Sequence, residues 1–322
     1  MKVHILDDWF DTLRGLPCFA KLADHDVTVW TDHEPDPERL AARIAQADAL
    51  VLFRERTKIG ANLLSRVPKL RLISQRSVYP HVDVDACTAN GVLLSSNMHS
   101  DTPSYAAAEM TLALILASYR QIPQQVASIR AGDWQMGVGR TLRGRTLGLY
   151  GYGRIAQAVA GYAEAIGMHV QWWASDEGRA RALADGRNIA ASREAFFATS
   201  DVVSLHVRLK PDTRGIITAA DLAAMAPRSL LVNTSRSGLI AAGMLEAEIA
   251  RGRLHAAVDV FDNEPLRDAD NLLLTHPNVT PTPHIGYVTE DEFDLQFSDI
   301  FDQVNAFADG RAINMINPEV LG

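Results

Sequence analysis

Cysteine is scarce in this chain: two residues, Cys18 and Cys87, in a sequence of 322. They are far apart and form no CxxC pattern, which excludes a disulfide scaffold and a thiolate metal site. Both are expected to be small buried residues in a reducing compartment. Cationic residues are also in deficit, 31 Lys and Arg against 39 Asp and Glu, for a net charge of −8. Nucleic acid is therefore not an expected partner, because phosphate backbones demand clustered cations. Long apolar runs are missing too. The longest lies around Met110 to Ala117, far too short to cross a bilayer, and the opening MKVHILDDWF lacks a signal-peptide core. The expectation is a cytoplasmic, soluble protein with no membrane partner and no metal. The acid after Glu290, opposed by Arg311 alone, reads as a solvated helix face.

What is present is a substantial apolar content, 47% of the chain, and a length that suggests two domains. Short β-branched or apolar runs alternate with helical patterns. Strands are expected at Val3–Leu6, Val27–Trp30, Ala49–Leu52, Leu70–Ser74 and Val92–Ser95. After a long Ala- and Leu-rich helix, Pro103–Tyr119, the alternation restarts. Further strands are expected at Thr146–Tyr150, His169–Trp173, Val202–Leu205, Leu230–Asn233 and Ala256–Val260. Strand–helix alternation at this spacing implies βαβ units, hence parallel sheets covered on both faces. Two doubly wound α/β domains facing a cleft are the expected architecture.

Gly151-Tyr-Gly153-Arg-Ile-Ala156 follows one strand directly and opens a helix. In that context a glycine fingerprint gains meaning. Gly151 permits the tight turn, Gly153 lets the backbone approach a pyrophosphate, and the helix N-terminus offers free N–H groups. A dinucleotide is therefore the expected cofactor. Its ribose should meet a group roughly 20 residues on. There the sequence offers Asp176, suited to NAD, and Ser175 with Arg179, suited to the 2′-phosphate of NADP. NAD and NADP both remain open.

Three further features lie toward the carboxyl end. Arg236 sits in the polar turn Asn233-Thr-Ser-Arg-Ser-Gly238, just after an apolar strand. Asp259 lies inside the apolar run of Ala257-Val-Asp-Val-Phe-Asp-Asn-Glu264-Pro265, where an unpaired carboxylate would be costly. His284 stands between turn-forming residues in Thr282-Pro-His-Ile-Gly286. Taken singly, Arg236 reads as a surface arginine and His284 as a structural histidine.

Together, the glycine turn, NTSRSG, AVDVFDNEP and TPHIG occur in an order that resembles the D-isomer-specific 2-hydroxyacid dehydrogenases. GRTLGLYGYG, DVVSLHV and RAGDW extend the resemblance over essentially the whole chain. It implies a Rossmann cofactor domain over residues 101–284 and a discontinuous flavodoxin-like substrate domain over 1–100 plus 285–322. It implies hydride transfer between NAD(P)H and a small 2-oxo acid, giving a D-2-hydroxy acid. Arg236 then matches the substrate-binding arginine, Glu264 the carboxylate partner and His284 the acid/base; pairing with Glu264 favours a cationic imidazole. The implied cofactor contacts are Gly151, Gly153, Arg154, Ile155, Ser175, Asp176, His206, Val207, Thr234, Ser235, Asp259 and Gly286, with Asp259 on the nicotinamide amide. Arg76, Ser77 and Val78 match the loop that binds the substrate carboxylate. The resemblance also implies a homodimer.

Departures from the family pattern are concentrated in that loop, where Arg76 and Tyr79 replace small residues. Arg76 suggests a small substrate or one with a second anionic group. Arg208 and Tyr287 also depart from the pattern, near the cofactor edge and just after His284. The alternatives are a non-catalytic NAD(H)-sensing, corepressor-like protein and a phosphoglycerate dehydrogenase. Retention of Arg236, Glu264 and His284 favours an enzyme, and the lack of a regulatory extension weighs against the phosphoglycerate enzyme. The Glu264/His284 pairing disfavours formate oxidation.

Overall fold

The computed structural model describes residues 1–98 and 105–322. Two compact units emerge, one from Met1–Ser104 with Val288–Gly322, the other from Tyr105–Tyr287. Each is built on one parallel sheet.

In the first unit the strands are β1 (Lys2–Ile5), β2 (Asp26–Val29), β3 (Ala49–Val51), β4 (Leu72–Arg76) and β5 (Leu93–Asn97), ordered β2-β1-β3-β4-β5. This is the flavodoxin-like order. The expected β4 and β5 both end too early. Ser74, Gln75, Ser95 and Ser96 are almost fully buried despite their polarity, and the two strands pair as far as Arg76 and Asn97. The reason is the helix Glu290–Ala308, which covers this face. Gln303 Nε2 donates to Ser74 Oγ at 2.8 Å and to the Gln75 carbonyl at 2.9 Å. Ser74 Oγ in turn donates to the Ile300 carbonyl at 2.8 Å. Gln303 and Ile300 thereby replace hydrogen bonds that Ser74 and the Gln75 carbonyl lose to water. Beside this network Phe53 packs against Phe293 and Phe297.

The second unit contains β6 (Thr146–Tyr150), β7 (His169–Trp173), β8 (Val202–Leu205), β9 (Leu230–Asn233), β10 (His255–Val258) and β11 (Val279–Pro281), ordered β11-β10-β9-β8-β6-β7. A single parallel bridge from Trp172 to Ile189 adds a vestigial strand beyond β7. With it the order becomes that of a Rossmann sheet extended by one strand. Side chains alternate between two apolar layers. Leu147, Leu149, Val202, Leu230, Val232 and Ala257 enter one, and Tyr150, Val203, Leu205, Leu231, Ala256 and Val258 enter the other. Burying one such Leu or Val stabilises the fold by about 1.5–3 kcal/mol.

Strand β11 is absent from the sequence expectation. It is an edge strand in a segment rich in proline, and proline is tolerated at such an edge because no N–H is needed on the open side. The helices Ile122–Arg130, Asp176–Ala184 and Arg193–Thr199 were likewise not anticipated. The long helix runs over Ala106–Tyr119, and Pro103, where the sequence expectation begins it, lies outside the described residues. Among the described residues no helix is long and apolar enough to cross a membrane.

Candidate active site

All the second-unit candidates sit at one edge of its sheet, the carboxyl ends of the strands. Gly151–Ile155 follow β6, Ser175 and Asp176 follow β7, and His206 and Val207 follow β8. Thr234–Arg236 follow β9, Asp259 and Glu264 follow β10, and His284 and Gly286 follow β11. Parallel sheets bind ligands there, at the switch point where strand order reverses, which here lies between β6 and β8.

The two glycines of the turn differ in kind. Gly151 has φ +115°, and a Cβ there would lie 2.4 Å from the His206 carbonyl oxygen. The fold itself demands glycine. Gly153 is extended, and a Cβ there would meet nothing within 4 Å. It precedes the helix Arg154–Ala165, whose N-terminus has no side-chain cap. Open space before uncapped N–H groups fits a pyrophosphate, as glycine is needed only if a ligand comes close. Ala156 is fully buried at the helix–sheet contact.

At the end of β7, the Ser175 hydroxyl accepts from Gly178 N at 3.2 Å and caps the helix Asp176–Ala184. Asp176 is almost fully exposed and pairs with Arg179, whose guanidinium lies 4.4 Å from the Trp173 ring. After β8, His206 Nε2 lies 2.9 Å from Ser204 Oγ. Part of His206 reaches solvent, yet its ring is enclosed, and burial pushes it down to about 4. His206 is therefore neutral at physiological pH. Arg208 is exposed.

The loop after β9 is shaped by Asn233, which is buried. Its Nδ2 donates to the Arg236 carbonyl at 2.9 Å, and its Oδ1 accepts from Ser235 N at 3.1 Å. Thr234 Oγ1 meets Thr111 Oγ1 at 2.8 Å, while Ser235 Oγ donates to the Leu205 carbonyl at 2.7 Å.

Asp259 is fully buried, and the structure supplies the partners its burial requires. Oδ1 accepts from Thr282 Oγ1 at 2.6 Å and Ile285 N at 2.9 Å, and Oδ2 accepts from Gly286 N at 2.8 Å. One carboxylate thus grips the chain on both sides of His284. A Cβ at position 286 would lie 3.0 Å from Oδ2, so glycine permits the grip. His284 itself has φ +54°, a strained value for a residue other than glycine. Its Nδ1 lies 2.5 Å from Glu264 Oε2, and Glu264 Oε1 accepts from Phe261 N at 2.8 Å. Burial raises the Glu264 carboxyl, but the bonds from His284 and Phe261 and the charges of His284 and Arg236 outweigh it and hold it below the usual range. His284 and Arg236 therefore both act on Glu264. Tyr287 stands edge-on to His284, with ring centroids 5.4 Å apart.

Arg76, Ser77 and Val78 lie in the first unit, at the carboxyl end of β4. Arg76 Nε pairs with Asp299 at 3.2 Å, so its charge is partly spent on the covering helix. Ser77 has φ +75°, and its N–H already donates to the Asn97 carbonyl. Sequence reasoning missed Arg54 and Arg56, which follow β3 at the same edge. Arg56 Nη1 donates to the Asp7 carbonyl at 2.6 Å, and its guanidinium lies 3.9 Å from the Trp9 ring. The strand-end rule that singled out Arg236 applies equally to these two.

Three comparisons bear on this arrangement. The family model for the D-isomer specific 2-hydroxyacid dehydrogenase NAD binding domain matches residues 112–286. A D-3-phosphoglycerate dehydrogenase of Mycobacterium tuberculosis is 36% identical over 302 residues, covering 91% of this chain and 55% of that protein. The chain thus spans about half the length of that relative. A glyoxylate reductase of Aeropyrum pernix is 33% identical over 314 residues, 92% of this chain and 91% of that protein. The crystal structure of a phosphoglycerate oxidoreductase from Vibrio cholerae superposes with a TM-score of 0.90 at 43% identity, covering 96% of this chain and 99% of that one. With glycine turn, strand order and ordered motifs in agreement, the chain belongs to the D-isomer specific 2-hydroxyacid dehydrogenase family.

Proposed function

We propose that this protein is an NAD(P)-dependent oxidoreductase that interconverts a small 2-oxo acid and its D-2-hydroxy acid. The observation that carries the reading is the His284–Glu264 pair, held by Asp259 and within the field of Arg236. The dinucleotide, bound along Gly151, Gly153 and the N-terminus of Arg154–Ala165, supplies the hydride donor or acceptor. His284 gives a proton to the substrate oxygen in reduction and takes it back in oxidation. Glu264 orients the imidazole through its contact with Nδ1. Arg236 grips the substrate carboxylate through a two-pronged contact.

Arg76, Ser77 and Val78 are assigned to the substrate side. Arg76 Nη1 is buried with no hydrogen-bond partner, which supports an acceptor arriving there. Asp259 keeps its proposed contact with the nicotinamide amide in addition to its grip on the His284 loop. We assign the protein to the cytoplasm and to a homodimer. Supporting the dimer, the helix Ile122–Arg130 buries no residue, and beyond it Trp134 is 73% and Val138 88% exposed.

The test is a panel of glyoxylate, hydroxypyruvate, 3-phosphohydroxypyruvate and a larger apolar 2-oxo acid, each with NADH and with NADPH. Turnover of at least one is expected. Dinucleotide binding with no turnover across the panel would favour the sensing alternative.

A further inference from the structure

At the opposite edge of the second sheet, where β6, β8 and β9 begin, lies a cavity of about 320 Å³ lined by Arg140, Arg145, Thr199, Asp201, Pro227 and Arg228. It is remote from the strand ends that carry His284 and Gly151. Its charges do not balance. Asp201 is its single carboxylate, and both of its oxygens are engaged: Oδ1 with Arg145 at 3.1 Å and Oδ2 with Thr146 N at 2.9 Å. Neighbouring Arg253 is consumed as well, by Glu248 and the Met225 and Leu222 carbonyls.

Arg140 and Arg228 have no carboxylate partner among the described residues. Arg140 stacks on Tyr119 with its guanidinium 4.4 Å from the ring centroid. Arg228 is exposed, in the left-handed region at φ +65°, and its N–H is tied to the Arg253 carbonyl at 2.7 Å. Behind them, at the start of β10, His255 is held below its ordinary value by burial and by the charges of Arg140, Arg228 and His276. In a protein of net charge −8, two unpaired guanidiniums on one concave surface are an unspent anion-binding capacity.

We propose that this cavity binds a phosphate group, free or carried on a small ester, through Arg140 and Arg228. The inference does not depend on the oxidoreductase reading. The full-length protein is titrated calorimetrically with inorganic phosphate and, in a second arm, with glycerol 3-phosphate. The His255 imidazole is followed by NMR over pH with and without each ligand. Saturable binding is expected, together with a His255 titration moved to higher pH, because a bound dianion offsets the two arginines. Tighter binding of glycerol 3-phosphate assigns the site to an ester, and tighter or equal binding of phosphate assigns it to the free ion.

Arg140→Gln combined with Arg228→Asn should weaken binding about tenfold or more. Arg228→Asn alone, compatible with the left-handed backbone, should weaken it about threefold and guards against misfolding of the double variant. Arg311→Gln, in the other unit, should leave it unchanged. Absence of saturable binding, an affinity indifferent to both arginine variants, or a His255 titration that phosphate does not move would overturn the proposal.

Discussion

The carboxyl edges of the two sheets face the same architectural opportunity and use it differently. In the first unit the polar groups are largely turned on one another. Asp7 receives Thr57 and lies 2.8 Å from His33, Arg56 donates to the Asp7 backbone, and Arg76 pairs with Asp299. In the second unit the edge is left open at Gly153 and at the uncapped helix beyond it. There the strongest internal bonds serve to aim one side chain, His284. A strand-end position therefore indicates where a ligand can bind, while the state of its hydrogen bonds indicates whether room was kept for one.

The sharpest way to break this contrast is His284→Ala. Turnover should fall about 10²–10⁴-fold, with dinucleotide affinity nearly unchanged; near-normal turnover would reduce the second edge to a binding surface. The glycine pair gives the next largest effect. Gly151→Ala forces a Cβ onto the His206 carbonyl at an unfavourable φ and should cost about 3 kcal/mol in urea unfolding. Gly153→Ala should change stability by no more than about 0.5 kcal/mol while weakening dinucleotide binding, measured by fluorescence titration. Equal stability losses at both positions would mean that no space is reserved.

Asp259→Asn sharpens the assignment further. Replacing an oxygen that accepts by an amide that cannot should cost about 2 kcal/mol. A fall in kcat at constant dinucleotide KM marks the grip on the His284 loop as dominant, and a raised KM marks the nicotinamide contact. A last test concerns pH. His206 has a folded value of about 4, below its unfolded value, so the unfolded chain binds the proton first. Stability contributed by His206 is complete above the unfolded value and declines as pH falls from about 6.5 toward 4. His206→Gln should flatten its share of that slope in urea unfolding; His4, His81 and His255, also lowered by burial, contribute in the same direction.

Where local pattern and tertiary packing agree, the sequence is legible. The β6–turn–helix unit follows from an apolar run, two glycines and a helical repeat, and it is found over Thr146–Ala165. Motif order brought Arg236, Glu264 and His284 under one reading although no two are adjacent. What escaped is what partners decide. The three donors that satisfy Asp259 come from residues 23 to 27 positions later. Strand β11 carries proline and depends on β10 for its identity. Ser74 and Gln75 read as a strand ending, until Gln303 arrives from more than two hundred residues downstream.

That last contact sets an order of events during synthesis. The first unit cannot bury Ser74, Gln75 and Phe53 until residues 290–308 have left the ribosome, whereas every strand of the second unit is complete by Pro281. The nascent chain therefore has to carry an uncovered parallel sheet while a later one closes. The first unit, though it begins first, is the last to become solvent-tight.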